Sequence, residues 1–160
     1  MRILGIDPGT GILGFGVIEI SAQGKPSLLD AGVIRTPVKQ PDSERLFTIY
    51  NELKQIIAET KPTVMSVEKL FFSQNVTTAM SVSQARGVVL LLGKQHGLEL
   101  HEFTPQQIKQ AVTGYGKADK KQMQEMVRMT LGLTEVPKPD DCADAIAAAL
   151  CYGMSSRGVY

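Results

Sequence analysis

Arg2-Ile3-Leu4-Gly5-Ile6-Asp7-Pro8-Gly9-Thr10-Gly11 is the stretch on which the reading of this chain turns. Ile3, Leu4 and Ile6 supply the apolar, β-branched bulk of a buried strand, and Pro8 and Gly9 stop it in a tight turn. The apolar run over residues 14–20 follows at once and can pair back as a hairpin partner. The first strand therefore ends on a carboxylate, Asp7, and an acid at the end of a buried strand is costly unless something compensates it. Two readings are open. Asp7 caps its own turn through backbone N–H groups, or it is one of a set of carboxylates that the fold brings together.

Working outward, residues 28–36 read as a third strand and 37–43 as a loop. Over residues 43–59, Leu46, Ile49, Tyr50, Leu53, Ile56 and Ile57 recur at three- and four-residue spacing, the apolar stripe of a helix that Lys61-Pro62 ends. Residues 63–68 are a short buried strand that also finishes on an acid, Glu68. A long helix is expected over 75–95. Its second half is apolar on more than one face, so it must be covered on several sides, within the monomer or by a partner subunit. Residues 98–103 read as a fifth strand. Thr104-Pro105-Gln106-Gln107 and Asp119-Lys120-Lys121-Gln122 both carry the capping-box pattern of a helix start. The last helix is expected to begin with Asp140 as N-cap and to fray before Gly153. Strands alternating with helices after an opening hairpin predict an α/β fold: a mixed five-stranded sheet, partly parallel, with helices on both faces. The glycines of the first hairpin do not form a dinucleotide fingerprint, because a strand follows the turn where that motif needs a helix.

The 160 residues suit a single domain spanning 1–160, with an ordered core over about residues 1–155. Neither a signal peptide nor a run of 18 apolar residues is present, so a cytoplasmic protein with no membrane span is expected. Cys142 and Cys151 fall in one predicted helix, nine residues and about 13 Å apart, beyond disulfide reach. The net charge of +1, from 17 Lys and Arg against 16 Asp and Glu, neither advertises nor excludes nucleic-acid binding; distribution matters more. The most basic stretch is 106–128, with Lys109, Lys117, Lys120, Lys121 and Arg128 against Asp119 and Glu125.

If the first and fourth strands are parallel neighbours, Asp7 and Glu68 meet at the edge where α/β proteins place their sites. Asp141 and Asp144 share a face at the start of the last helix. Capping accounts for Asp140 and in part for Asp141, but not for Asp144 or Glu68. Crowded carboxylates repel unless cations neutralise them, and oxygen-only ligands point to Mg²⁺ or Mn²⁺. Two such ions roughly 4 Å apart suit hydrolysis of a phosphodiester, with Asp7 as the best candidate bridge.

Beyond these acids, the segments Ile3-Leu4-Gly5-Ile6-Asp7-Pro8-Gly9, Val67-Glu68 with Phe71, Gln84-Ala85-Arg86-Gly87, Lys109-Gln110-Ala111-Val112, Gly114-Tyr115-Gly116 and Asp141-Cys142-Ala143-Asp144-Ala145 resemble the RuvC family of bacterial Holliday-junction resolvases. The resemblance runs through essentially the whole chain, in order. It implies an RNase H-like fold, a homodimer and paired symmetric nicks in a four-way DNA junction. It further implies two-metal hydrolysis leaving 5′-phosphate and 3′-hydroxyl, and a branch-migration motor complex as partner. It places the catalytic and metal-binding acids at Asp7, Glu68, Asp141 and Asp144, and adds Lys109 and Lys120 near the scissile phosphate. Phe71 matches an aromatic that stacks on a junction base, and Phe72, Arg86, Lys117 and Lys121 are further candidate DNA contacts. Stacking on unpaired bases and point charges on phosphate are sound chemistry for these side chains. Arg86 lies in the helix that the family uses to dimerise, so a structural role competes there with DNA contact.

Three rivals are distinguishable. Gly5-Ile6-Asp7-Pro8-Gly9-Thr10 also resembles the phosphate loop of sugar kinases and actin-like ATPases, but those close two such domains on a nucleotide. A related single-domain nuclease type matures ribosomal RNA and would ignore four-way DNA. A non-catalytic junction-binding protein would not need the intact acid quartet.

Overall fold

The opening stretch folds as a hairpin: β1 (Arg2–Asp7) and β2 (Ile12–Ile20) pair antiparallel, and β3 (Pro26–Arg35) adds to β2. The computed structural model describes residues 1–69 and 76–156; Phe71 and Phe72, expected at the DNA, lie outside them. Helix α1 (Asp42–Thr60) leads back to β4 (Val64–Glu68), which pairs parallel with β1, and α2 (Val76–Gln95) leads to β5 (Glu99–Phe103), parallel with β4. The strand order is β3-β2-β1-β4-β5. Three helices follow: α3 (Pro105–Thr113), α4 (Lys120–Leu131) and α5 (Asp140–Ser155). Both predicted capping boxes form, on Thr104 with Gln107 and on Asp119 with Gln122. No described helix is long and apolar enough to cross a membrane.

Because side chains alternate across a strand, each strand feeds two cores. Leu4, Ile6, Leu13, Phe15, Met65 and Val67 face α1 and α2, meeting Ile49, Leu53, Val89 and Leu92. Ile3, Ile18 and Val64 face the opposite way, under α3, α4 and α5. On that second face strands β1 and β2 carry glycine where α5 crosses them, at Gly5, Gly14 and Gly16. A Cβ on Gly5 would overlap the carbonyl oxygen of Ala145 and come 2.7 Å from the nitrogen of Ala149, and one on Gly14 would overlap the carbonyl of Asp141. The helix answers with Ala143, Ala145, Ala147, Ala148 and Ala149, all buried. Ser66 of β4 donates its hydroxyl to the Ala148 carbonyl at 2.6 Å. The consequence is a helix laid directly on strand backbone.

Two expectations are corrected here. Asp140 is not the N-cap of α5. Pro139 holds that position without a side-chain cap, and Asp140 is the first helical residue. The helix also continues through Gly153 to Ser155, because the missing side chain lets this turn press onto Ile20 and Ile3. Along α2, Ala85, Val89 and Leu92 are buried while Met80 and Leu91 are exposed. Cys142 and Cys151 are buried and unpaired.

Candidate active site

Register and parity together assemble the site. Ile6 pairs with Val67 across the parallel β1–β4 ladder, so Asp7 and Glu68 end neighbouring strands at one level. Asp7 shares its strand face with Ile3 and Gly5, and Glu68 with Val64 and Ser66, the face that α5 covers. Across β1–β2, Asp7 is the register partner of Gly14, and the backbone of Asp141 sits over Gly14. The close seat of α5 on glycine is therefore what brings the helix-borne acids to the strand-borne ones.

A cavity of about 280 Å³ opens at this point, lined by Asp7, Glu68 and Asp144, by Lys109 of α3 and Lys120 of α4, and by the apolar Ile108, Met123 and Ala147. Asp141 flanks the cavity without lining it. Burial, then the charges of Glu68, Asp144 and Asp141, push Asp7 up to about 8. Burial and the charge of Asp144 push Glu68 up to about 7, against the pull of Lys109 and Lys120. Burial also raises Asp144, opposed by Lys120. These acids are thus a coupled, desolvated group that resists ionisation until positive charge is added. Among the described residues, no three acidic, His or Cys side chains are gathered closely enough to hold a metal ion. The donor set suits a hard divalent cation in kind, but Lys120 occupies part of it: its Nζ lies 3.5 Å from Asp144 Oδ2.

Among the described residues, burial and neighbouring charge are what shift Asp7, and no hydrogen bond to its carboxylate supports the reading in which it caps its own turn. The turn that follows is held by other residues. The Thr10 carbonyl accepts from the Thr36 hydroxyl, Gly11 O accepts from Thr36 N at 3.0 Å, and Arg45 Nε donates to Thr36 Oγ1 at 2.9 Å. Ser81 of α2 donates to Thr10 Oγ1 at 2.6 Å. Thr10, Thr36, Arg45 and Ser81 come from four separate parts of the chain, so no local pattern in the sequence marks them.

The remaining expected contacts are spread out. Lys117 and Lys121 are exposed around the start of α4. Arg86 is on the opposite face of the sheet, where its guanidinium pairs with Glu102 of β5 and its Nε is buried without a hydrogen-bond partner among the described residues. Asp140, which looked like a cap, instead binds Lys120 Nζ at 3.1 Å and accepts from Gln124 at 2.9 Å.

The family model described as crossover junction endodeoxyribonuclease RuvC matches residues 3–152. The chain belongs to the RuvC family. The RuvC of Chloroflexus aurantiacus is 52% identical over 156 residues, which cover 98% of this chain and 94% of that one. The structure of Thermus thermophilus RuvC matches with a TM-score of 0.92 at 36% identity, covering 99% of this chain and 96% of the other. T. thermophilus RuvC in complex with Holliday junction substrate matches with a TM-score of 0.90 at 33% identity and the same coverage. The mixed five-stranded sheet with flanking helices is accordingly the RNase H-like fold of RuvC.

Proposed function

We propose that this protein resolves four-way DNA junctions by hydrolysing one phosphodiester in each of two opposed strands, as a homodimer with one site per subunit. The observation that carries the reading is the convergence of Asp7, Glu68 and Asp144 on one cavity flanked by Lys109 and Lys120. It combines an acid cluster that demands cations with lysines that suit a phosphate. Asp7, Glu68, Asp141 and Asp144 would hold two Mg²⁺ ions, with Mn²⁺ as a substitute. When bound, the ions supply Lewis-acid stabilisation and an activated water. In the hydrolysis a water oxygen bonds to phosphorus, the P–O3′ bond breaks, and a proton passes to O3′, leaving 5′-phosphate and 3′-hydroxyl. Lys109 and Lys120 place positive charge beside the phosphate oxygens as its charge grows.

Phe71, with Phe72 beside it, takes the role of stacking on bases opened at the junction centre, and Lys117 and Lys121 extend the phosphate contacts. Arg86 serves this reading through the packing of α2 on β5, since Glu102 already engages its guanidinium. The exposed Met80 and Leu91 lie on one side of α2 and support a second copy of the chain as its cover. A branch-migration motor complex is the further partner in this reading, and the cytoplasm its compartment. Synthetic four-way junctions incubated with and without Mg²⁺ provide the test. Paired, symmetric, ligatable nicks that require the metal are expected. Intact junctions across several core sequences, with metal present, overturn the proposal.

A further inference from the structure

Asp140 stands outside the acid quartet and does not cap its helix, yet both of its carboxylate oxygens are engaged from α4. Gln124 Nε2 donates to Oδ1 at 2.9 Å and Lys120 Nζ donates to Oδ2 at 3.1 Å. Gln124 lies one turn beyond Lys120, so both donors rise from one face of α4. The same ammonium is 3.5 Å from Asp144 Oδ2. Lys120 is thus shared between an acid the metal needs and an acid it does not. An ammonium held on Asp144 competes with a divalent cation for the same oxygen atoms.

We propose that Asp140, braced by Gln124, is a positioning residue that offers Lys120 a second anion, so that Lys120 cedes Asp144 to the metal while remaining beside the phosphate. The inference rests on the reading of the cavity as a metal-dependent nuclease centre. Without Asp140, Asp144 is the nearest carboxylate left to Lys120, and cation entry must break that pair. Lys120 and Asp140 side chains are 54% and 60% exposed, so solvent screens the contact and the effect is several-fold rather than absolute.

The test is a double-mutant cycle on the full chain, with Asp140→Asn, Lys120→Met and the pair, read first by calorimetric titration with Mn²⁺. Asp140→Asn should weaken Mn²⁺ binding about three- to fivefold, a size typical of exposed ion pairs. In the Lys120→Met background the same change should have almost no effect, because the competitor is gone. An equal loss in both backgrounds means Asp140 acts only as bulk negative charge, and overturns the proposal; so does unchanged Mn²⁺ affinity in Asp140→Asn. Gln124→Leu, which leaves the Asp140 carboxylate in place but unbraced, should reproduce the direction of the change more weakly. The second readout is junction cleavage at saturating Mn²⁺. There Asp140→Asn should lower kcat with KM unchanged, and a loss confined to KM counts against positioning. Wild-type protein that binds Mn²⁺ yet leaves junctions intact overturns the resolvase reading alone, since the Mn²⁺ cycle still judges the role of Asp140.

Discussion

The two faces of the sheet are packed in opposite ways. Under α1 and α2, large side chains interlock: Leu4, Ile6 and Leu13 against Ile49, Leu53 and Val89. Under α5, backbone meets backbone, with Gly5 and Gly14 against the first three turns of an alanine-rich helix. Interlocked side chains can change rotamer and relax; stacked backbones cannot. The face without slack is the one that carries the acids. Three carboxylates on three elements must share one cavity, and a rigid seat removes the freedom that would let them repel one another apart.

The largest expected effect breaks this contrast directly. Gly5→Ala forces a methyl into the Ala145 carbonyl and should cost about 4 kcal/mol or more, with failure to fold as the extreme outcome, followed by urea denaturation. On the relaxed face, Leu53→Ala removes a fully buried side chain and should cost about 3 kcal/mol. It should nevertheless keep cleavage per folded molecule. Gly5→Ala proving the milder of the two would remove the basis of the comparison.

Asp7→Asn sharpens it by separating function from stability. With Asp7 raised to about 8 in the fold against 3.8 unfolded, the native state holds its proton more tightly. Stability from this group is therefore complete below pH 3.8 and is lost as pH rises through 8. In chelator, Asp7→Asn should be more stable than wild type by about 2 kcal/mol at pH 8.5, allowing for partial exposure, with the gain shrinking toward pH 4. Melting curves across that range check it, and junction cleavage should vanish throughout. A gain that is flat with pH would mean that the Asp7 charge is not what strains the site.

Ser81→Ala gives the smallest effect. It removes the one direct hydrogen bond described between α2 and the Thr10 turn and should cost about 1 kcal/mol. Ser81→Thr should restore it. Chemical denaturation of both variants gives the numbers, and a loss as large as that of Leu53→Ala would mean the turn depends on α2 more than its other anchors allow.

Much of this was readable in the residues. Strand identity followed from β-branched runs closed by Pro and Gly, and the capping boxes at Thr104 and Asp119 marked two helix starts to the residue. The meeting of Asp7 and Glu68 needed only a parallel β1–β4 pair, and parity then decided which face they share. What stayed hidden depends on tertiary partners. Asp140 resembles a cap because it precedes a helix by pattern, but Lys120 and Gln124, on a helix earlier in the chain, draw its carboxylate away. Gly153 resembles a helix breaker until Ile20 and Ile3 are found beneath it. The Thr10–Thr36–Arg45–Ser81 cluster has no signature at all, since its members meet only when four segments have packed.

The seat of α5 also sets a schedule. This helix is the last of the described elements in chain order, yet it fills the centre of its face and brings two of the four acids. Chains emerge from the ribosome amino end first. A nascent chain that has made everything through α4 has only Asp7 and Glu68 of these acids, too few for the chemistry proposed. Nuclease competence would then arrive only with α5, and translation products that stop short of it would be unable to cut DNA.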